Sequence, residues 1–322
     1  MTASAIWYVN DVLPEIRSLA LKEPGPDEVL VEALASGVSR GTESLVFQGL
    51  IPETDYDRMR APHQEGDFPY PVKYGYSMIG TVLQGPADLM GKRVFCLYPH
   101  QTRFVIHRDK LTPIDDAIPT ARAVLTANME TALNAVWDGF AAPGDKIAVI
   151  GAGVVGCLTA YLASRIPGTS VSLIDLNPGR RTIAQSLDIK FCTPDQIGSD
   201  FDLIFHASAS QSGLQMAIDK AGFEARIIEM SWYGTRPISI GLGAAFHSKR
   251  LQIIGSQVGT IPPSRRSRWS FDRRLSTALS LLKDPRLDSL LDEACHFEQA
   301  SERLSKWLAP GGQGLCHRII YS

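Results

Sequence analysis

The rhythm of apolar positions changes near residue 119. Before it, apolar residues come in short runs at 29–33, after the turn Pro24-Gly25-Pro26, and at 79–83, 93–97 and 103–106. Short runs bounded by Gly and Pro predict strands, and their succession predicts a barrel or sandwich. Residues 47–71 interrupt the series with four prolines, several charges and no period. They read as a long surface excursion, of a length that often carries function. With Tyr56, Met59, Arg60, His63 and Phe68 it is either a lid over a substrate or a plain insert.

From residue 119 onward helix and strand patterns alternate. Residues 121–140 have helical spacing and stop before Pro143-Gly144; an apolar strand at 146–150 and a helix through Leu158 and Leu162 follow. Strands at 171–174, 201–205, 226–230 and 251–254 and helices at 180–187 and 212–221 continue the pattern. Such βαβ repetition predicts an α/β fold with a doubly wound parallel sheet of the Rossmann type. A helix at 299–308 and a strand at 316–321 close the sequence, and no internal repeat is visible.

Composition narrows the function. The 322 residues suffice for about two domains. Lys plus Arg number 32 and Asp plus Glu 34, a net charge of −2 without a long run of either sign, which argues against nucleic-acid or anionic-membrane partners. Arg265, Arg266 and Arg268 read as a solvated loop. No apolar stretch reaches the ~20 residues of a bilayer-spanning helix and residues 1–5 lack the start of a signal peptide, so a cytoplasmic location is the default expectation. The five cysteines are odd in number and widely spaced, as buried thiols are.

The string Gly151-Ala152-Gly153-Val154-Val155-Gly156 follows an apolar strand and opens an apolar helix, the setting in which G-x-G-x-x-G indicates a dinucleotide site. Its first glycine permits a tight turn, its second lets a diphosphate approach the backbone, and its third lets helix and strand pack. Amides at the helix start, those of Val154 and Val155 included, face the phosphates. Asp175 ends the next strand, where a carboxylate accepts hydrogen bonds from the adenosine ribose. Its charge repels a 2′-phosphate, so NAD(H) is preferred; Arg180 and Arg181 downstream keep NADP(H) possible. His206 and Ser208, and Ser231 and Trp232 before Tyr233, follow strands at the sheet edge that faces the coenzyme. Contact with ribose or nicotinamide, acid–base catalysis and a structural hydrogen-bonding role all stand open for His206.

The β-rich start and the nucleotide core resemble the medium-chain dehydrogenase/reductase superfamily, the relatives of zinc alcohol dehydrogenases. The resemblance spans nearly the whole chain. Besides the glycine loop it rests on residues 24–31 (PGPDEVLV), 36–43 (SGVSRGTE), 75–80 (GYSMIG), Pro143-Gly144-Asp145 and Lys249-Arg250-Leu251. Residues 39–43 (SRGTE) look like a branch of zinc-binding dehydrogenases related to bacteriochlorophyllide dehydrogenase. The resemblance implies a GroES-like β-barrel catalytic domain at 1–118, an NAD-binding Rossmann domain at 119–270 and a segment at 271–322 returning to the catalytic domain. It also implies a homodimer.

In zinc-dependent members the metal ligands would be a cysteine where this chain has Arg40, a histidine where it has Tyr76, and a cysteine near Ala127, four positions before Thr131. The glutamate after that histidine is Ser77, and the four-cysteine lobe for structural zinc is absent from the sequence. Zinc takes Cys, His or carboxylate ligands, so zinc is not expected here. The resemblance then implies hydride exchange between nicotinamide and a small-molecule alcohol or carbonyl substrate, with charge handled by protein donors. The candidates are Arg40, Thr42, Tyr76 and Glu130, with Ser39 behind them. Tyr76 would be a phenolic acid if Arg40 lowers its pKa. The alternative for Arg40 is ion pairing with Glu43 or Glu130. Rival functions are a zinc-independent quinone or enoyl reductase and a non-catalytic NAD(H) sensor.

Overall fold

In the computed structural model, which describes residues 1–321, the chain forms two compact units. The first comprises Met1–Ala127, Leu279–Lys283 and the residues from Leu291 onward; the second comprises Asn128–Ala278 and Asp284–Leu290. The first unit therefore runs past residue 118. Val124 sets the extension: it packs against Gly37, where an added Cβ would stand 3.0 Å from it, and its carbonyl accepts a hydrogen bond from Ser77 Oγ. The predicted helix at 121–140 is correspondingly broken into Thr120–Ala123 and Thr126–Gly139.

The first unit is β-rich, in keeping with the expected barrel-type domain. A seven-stranded sheet is organised on Glu28–Val38, which pairs antiparallel with Met78–Gln84, Arg103–His107 and Cys316–Ile320. In that last pairing His317 stands opposite Val38 and Ile320 opposite Ala35. Buried residues nearly fill the strand, because neighbours cover both of its faces. A second sheet places Thr2–Tyr8 between Glu15–Ala20 and Val72–Lys73. The excursion at 47–71 is tied down by the two-residue strand Glu65–Gly66, which pairs with Val72–Lys73.

The second unit holds six parallel strands in the order Lys190–Cys192, Ser170–Ile174, Lys146–Ile150, Phe201–His206, Ala221–Glu229, Gln252–Gly255. The order turns back between Lys146–Ile150 and Phe201–His206, and the crevice at the carboxyl ends of those strands is where such sheets take ligands. Ala148, Ile150, Ile204, Leu214, Ile218 and Ile227 build the core of one face. Each large aliphatic side chain fully buried there contributes about 1.5–3 kcal/mol. All five cysteines are free and buried. Among the described residues no helix is long and apolar enough to cross a membrane.

Candidate functional site

The glycine loop occupies the predicted crevice, and each glycine has its own reason to be one. Gly151 sits at φ +106°, and a Cβ there would come within 2.8 Å of the Ala207–Ser208 peptide. At Gly156 a Cβ would lie 1.9 Å from the Gly151 carbonyl oxygen, so only glycine lets the helix Val154–Ala163 start this close to the strand. Gly153 is different: a Cβ added there meets nothing within 4 Å, and its φ of −76° is open to any L residue. The protein leaves this position bare beside the first-turn amides of Val154, Val155 and Gly156, which have no acceptor within the helix. A diphosphate fits the cradle that a side chain would fill.

Asp175 stands beside this cradle. Its Oδ2 accepts from the Ala152 amide at 2.7 Å and its Oδ1 from the Asn177 amide at 2.8 Å. The carboxylate thus fastens the loop while each oxygen keeps a lone pair for a sugar hydroxyl. Arg180 opens the next helix, Arg180–Ser186, and Arg181 lies over the Phe191 ring at 5.0 Å.

Across the crevice, His206, Ser231 and Tyr233 converge on a carboxylate, Glu229, that sequence reading missed. His206 and Glu229 are opposite each other at the last rung of their strands, and His206 Nδ1 lies 2.7 Å from Glu229 Oε2. His206 Nε2 lies 2.7 Å from Ser208 Oγ, which lies 2.8 Å from Ser210 Oγ; Ser210 caps the helix Gln211–Lys220 by accepting from the Gly213 amide. Glu229 also accepts from the Ser231 amide at 2.7 Å and from Tyr233 Oη at 3.1 Å. Burial and the Glu229 charge hold the Tyr233 phenol well above its ordinary pKa. Trp232 is half-buried in the same segment.

The first unit carries the other polar cluster. Ser39 precedes the helix Arg40–Phe47, and the Glu43 carboxylate folds back to accept the Ser39 amide at 2.7 Å. Glu43 is fully buried and also accepts from Tyr8 Oη at 2.9 Å, with His100 Nε2 at 3.0 Å. His100 Nδ1 continues at 2.7 Å to Ser36 Oγ, which meets Tyr321 Oη at 2.9 Å. Tyr76 hydrogen-bonds with the hydroxyls of Ser39 and Thr42. Sequence reading gave no signal for Tyr8, His100, Ser36 or Tyr321, because their partners are remote along the chain.

Two expectations about charge are corrected. Arg40 donates to the Gly312 carbonyl, while the Glu43 carboxylate is held by Ser39, Tyr8 and His100, and Glu130 pairs with Arg274 at 3.0 Å. The Tyr76 phenol is not acidified: burial, reinforced by the Glu43 charge, pushes it up to about 12, and the Ser39 and Thr42 hydrogen bonds only partly offset this. Arg274 is itself buried and additionally donates to Asn134 and the Val258 carbonyl, so Glu130 belongs to a bolt joining the helix Thr126–Gly139 to the segment after Gln252–Gly255.

No family model matches the chain. It is 27% identical over 253 residues to 2-desacetyl-2-hydroxyethyl bacteriochlorophyllide A dehydrogenase of Rhodobacter capsulatus, covering 72% of this chain and 74% of that protein. It is 23% identical over 314 residues to D-guloside 3-dehydrogenase of Escherichia coli K12, covering 88% and 89%. Among solved structures, TarJ of Staphylococcus aureus in complex with NADPH shares the fold over 100% of both chains, with a TM-score of 0.76 and 16% identity. The chain thus shares the fold of TarJ and is similar in sequence to these two dehydrogenases.

Against the resemblance to zinc alcohol dehydrogenases, the metal positions are unusual. The three places that the resemblance assigns to catalytic zinc ligands hold Arg40, Tyr76 and Ala127: a guanidinium, a phenol held protonated and a methyl group. None of these is a zinc donor at neutral pH. Among the described residues no group of three or more His, Cys, Asp or Glu side chains is placed to hold a metal ion. The residues present fit a dinucleotide and do not fit catalytic zinc.

Proposed function

We propose that this chain is a medium-chain dehydrogenase/reductase, an NAD(H)-dependent oxidoreductase acting on a small alcohol or carbonyl substrate with protein donors in place of zinc. The observation that carries this reading is the bare Gly153 position between two glycines that tolerate no side chain. When bound, the coenzyme supplies or accepts a hydride at C4 of its nicotinamide. The unphosphorylated coenzyme is favoured because Asp175 carries a negative charge beside the loop, where a 2′-phosphate would be repelled. Ser208, Ser231 and Trp232 are assigned to the coenzyme by their place at the same sheet edge.

Substrate chemistry is assigned to the first unit. Hydride loss from an alcohol leaves a hydroxyl proton to be taken up, and Thr42, Ser39 and Tyr76 form a set of hydroxyls able both to accept and to donate. Held protonated, Tyr76 serves as a fixed donor to a carbonyl oxygen, and Arg40 adds positive charge where negative charge develops. Glu130, clamped by Arg274, is assigned to positioning rather than proton transfer. Relatives acting on a hydroxyethyl tetrapyrrole and on a guloside favour a secondary alcohol as the reacting group. A homodimer and a cytoplasmic location rest on the resemblance and on composition.

Calorimetric titration with NADH and NADPH, metal analysis of the purified chain, and turnover of carbonyl and enone panels test the proposal together. Tighter NADH binding, substoichiometric zinc and turnover of carbonyls are expected. Failure to bind either coenzyme, or a stoichiometric zinc ion that survives dialysis, refutes it. Turnover of enones alone replaces it with the double-bond reductase reading.

A further inference from the structure

The Glu229–His206–Ser208–Ser210 chain is more elaborate than a strand end requires, and the helix beside it is shaped to admit it. Gly213 lies inside the helix Gln211–Lys220, where glycine costs about 1 kcal/mol relative to alanine. A Cβ there would fall 2.4 Å from Ser208 Oγ, 2.7 Å from Ser210 Oγ and 2.8 Å from His206 Nε2. The glycine makes room for the hydroxyls and the ring.

The hydrogen bonds of this chain have one consistent direction when His206 is neutral. The Gly213 amide donates to Ser210, Ser210 to Ser208, Ser208 to His206 Nε2, and His206 Nδ1–H to Glu229. In that state the Ser208 hydrogen is committed to the ring, and toward any ligand Ser208 is an acceptor only. Protonation of His206 reverses the link: Nε2–H then donates to Ser208 Oγ, and the serine hydrogen is released to point elsewhere. A Cβ at Gly151 would come within 2.8 Å of the Ser208 amide nitrogen, so Ser208 borders the first glycine of the loop.

We propose that Ser208 is a coenzyme-binding group whose donor or acceptor character is set by His206, that Glu229 is the positioning residue holding His206 for this exchange, and that binding of the anionic coenzyme therefore draws in a proton at His206. This rests on the coenzyme reading given above. The diphosphate and ribose oxygens of NADH are acceptors for the released serine hydrogen, and the imidazolium adds a positive charge next to an anionic ligand. The groups facing the ring are Glu229 from the strand Ala221–Glu229 and Tyr233 from the segment after it, with Arg236 in electrostatic reach of Tyr233. Its other neighbours, Ser208, Ser210, Ser231 and Gly213, do not titrate in this range. Tyr233 stays a neutral donor.

The test is calorimetric titration of the full chain with NADH from about pH 5 to 8, the range in which histidine titrates. Paired buffers of different ionisation enthalpy yield the protons taken up per NADH bound. Wild type is expected to take up a proton fraction that peaks within this range, its affinity rising by up to about tenfold per pH unit as pH falls. His206→Gln is expected to bind NADH with no pH dependence there. Ser208→Ala is expected to lose about two- to tenfold in affinity, the value of one hydrogen bond, together with most of the uptake, whereas Ser208→Thr retains both. Glu229→Gln is expected to diminish the uptake, because the ring loses the carboxylate that orients its Nδ1–H. NADH binding without proton uptake in wild type, or uptake that persists in His206→Gln, overturns this proposal and leaves the coenzyme reading standing. Absence of NADH binding by wild type overturns both.

Discussion

Gly153 and Gly156 lie three positions apart in one motif, and the structure predicts opposite consequences for the same substitution. In Gly156→Ala the new methyl would sit 1.9 Å from the Gly151 carbonyl oxygen. Close carbon–oxygen contacts in proteins lie at about 3.3–3.6 Å, so backbone must yield to backbone by more than an ångström. Overpacking of this kind costs about 1–3 kcal/mol, and a rigid backbone contact belongs at the upper end. At 2–4 °C per kcal/mol that lowers Tm by about 6–12 °C. In Gly153→Ala the backbone is already extended and nothing lies within 4 Å, so stability should change by less than about 0.5 kcal/mol. The methyl instead occupies the cradle assigned to the diphosphate, and NADH affinity should fall at least about tenfold, which is 1.4 kcal/mol. Thermal unfolding without coenzyme, paired with NADH fluorescence titration, separates the two effects. Unchanged NADH affinity in Gly153→Ala, or a Tm loss in it as large as in Gly156→Ala, would refute the reasoning.

Three further outcomes follow from side chains already placed. Asp175→Ser should move the NADH-to-NADPH affinity ratio toward NADPH by about tenfold or more, since it removes one negative charge beside the loop along with the tether to Ala152; an unchanged ratio in parallel titrations would deny that the charge selects the coenzyme. Arg274→Met strands the Glu130 carboxylate in the interior and should cost about 3–5 kcal/mol in urea unfolding, much of it recovered by adding Glu130→Met; a loss below about 1 kcal/mol would show that the bolt is unimportant. Asp284 is held well below the usual carboxylate range, chiefly by hydrogen bonds from Arg286 and against some burial. Its folded pKa is depressed, so its stabilisation is present above about pH 4 and is lost as pH falls further, through the folded value. Arg286 is exposed and Asp284 only partly so, and Asp284→Asn should cost about 1 kcal/mol at pH 7 and less at about pH 2; equal costs at both would contradict the assignment.

Legibility in the sequence followed the range of the interactions. The glycine loop and Asp175 were readable because their roles depend on local geometry: a turn, a helix start and the end of the next strand. The parallel strands were readable because burial on both faces writes an uninterrupted apolar run such as 147–150 in the strand Lys146–Ile150. Glu15–Ala20 was not, because it is an edge strand with mostly exposed side chains and no buried periodicity. The helix break at Val124 arises from its carbonyl bonding with Ser77, 47 positions away, which no helical period encodes. The alternative that pairs Arg40 with a carboxylate suggests itself because opposite charges in one motif look paired, yet Glu43 is drawn inward by Tyr8 and His100 and Glu130 by an arginine 144 positions downstream. The upward shift at Tyr76 had the same origin, since burial depends on the whole unit and not on its neighbours in sequence.

The bond between Ser36 and Tyr321 joins positions 285 residues apart, and the strand Cys316–Ile320 lies against Glu28–Val38 beside it. During synthesis the ribosome therefore releases every strand of the six-stranded parallel sheet before the long strand near the start acquires this neighbour. That sheet is free to condense first although it is encoded later, while the earlier one waits with an open flank that invites pairing with another nascent chain. A chain cut shortly before residue 316 would therefore carry every strand of the parallel sheet while the first sheet stayed unsealed along Ala35 to Val38.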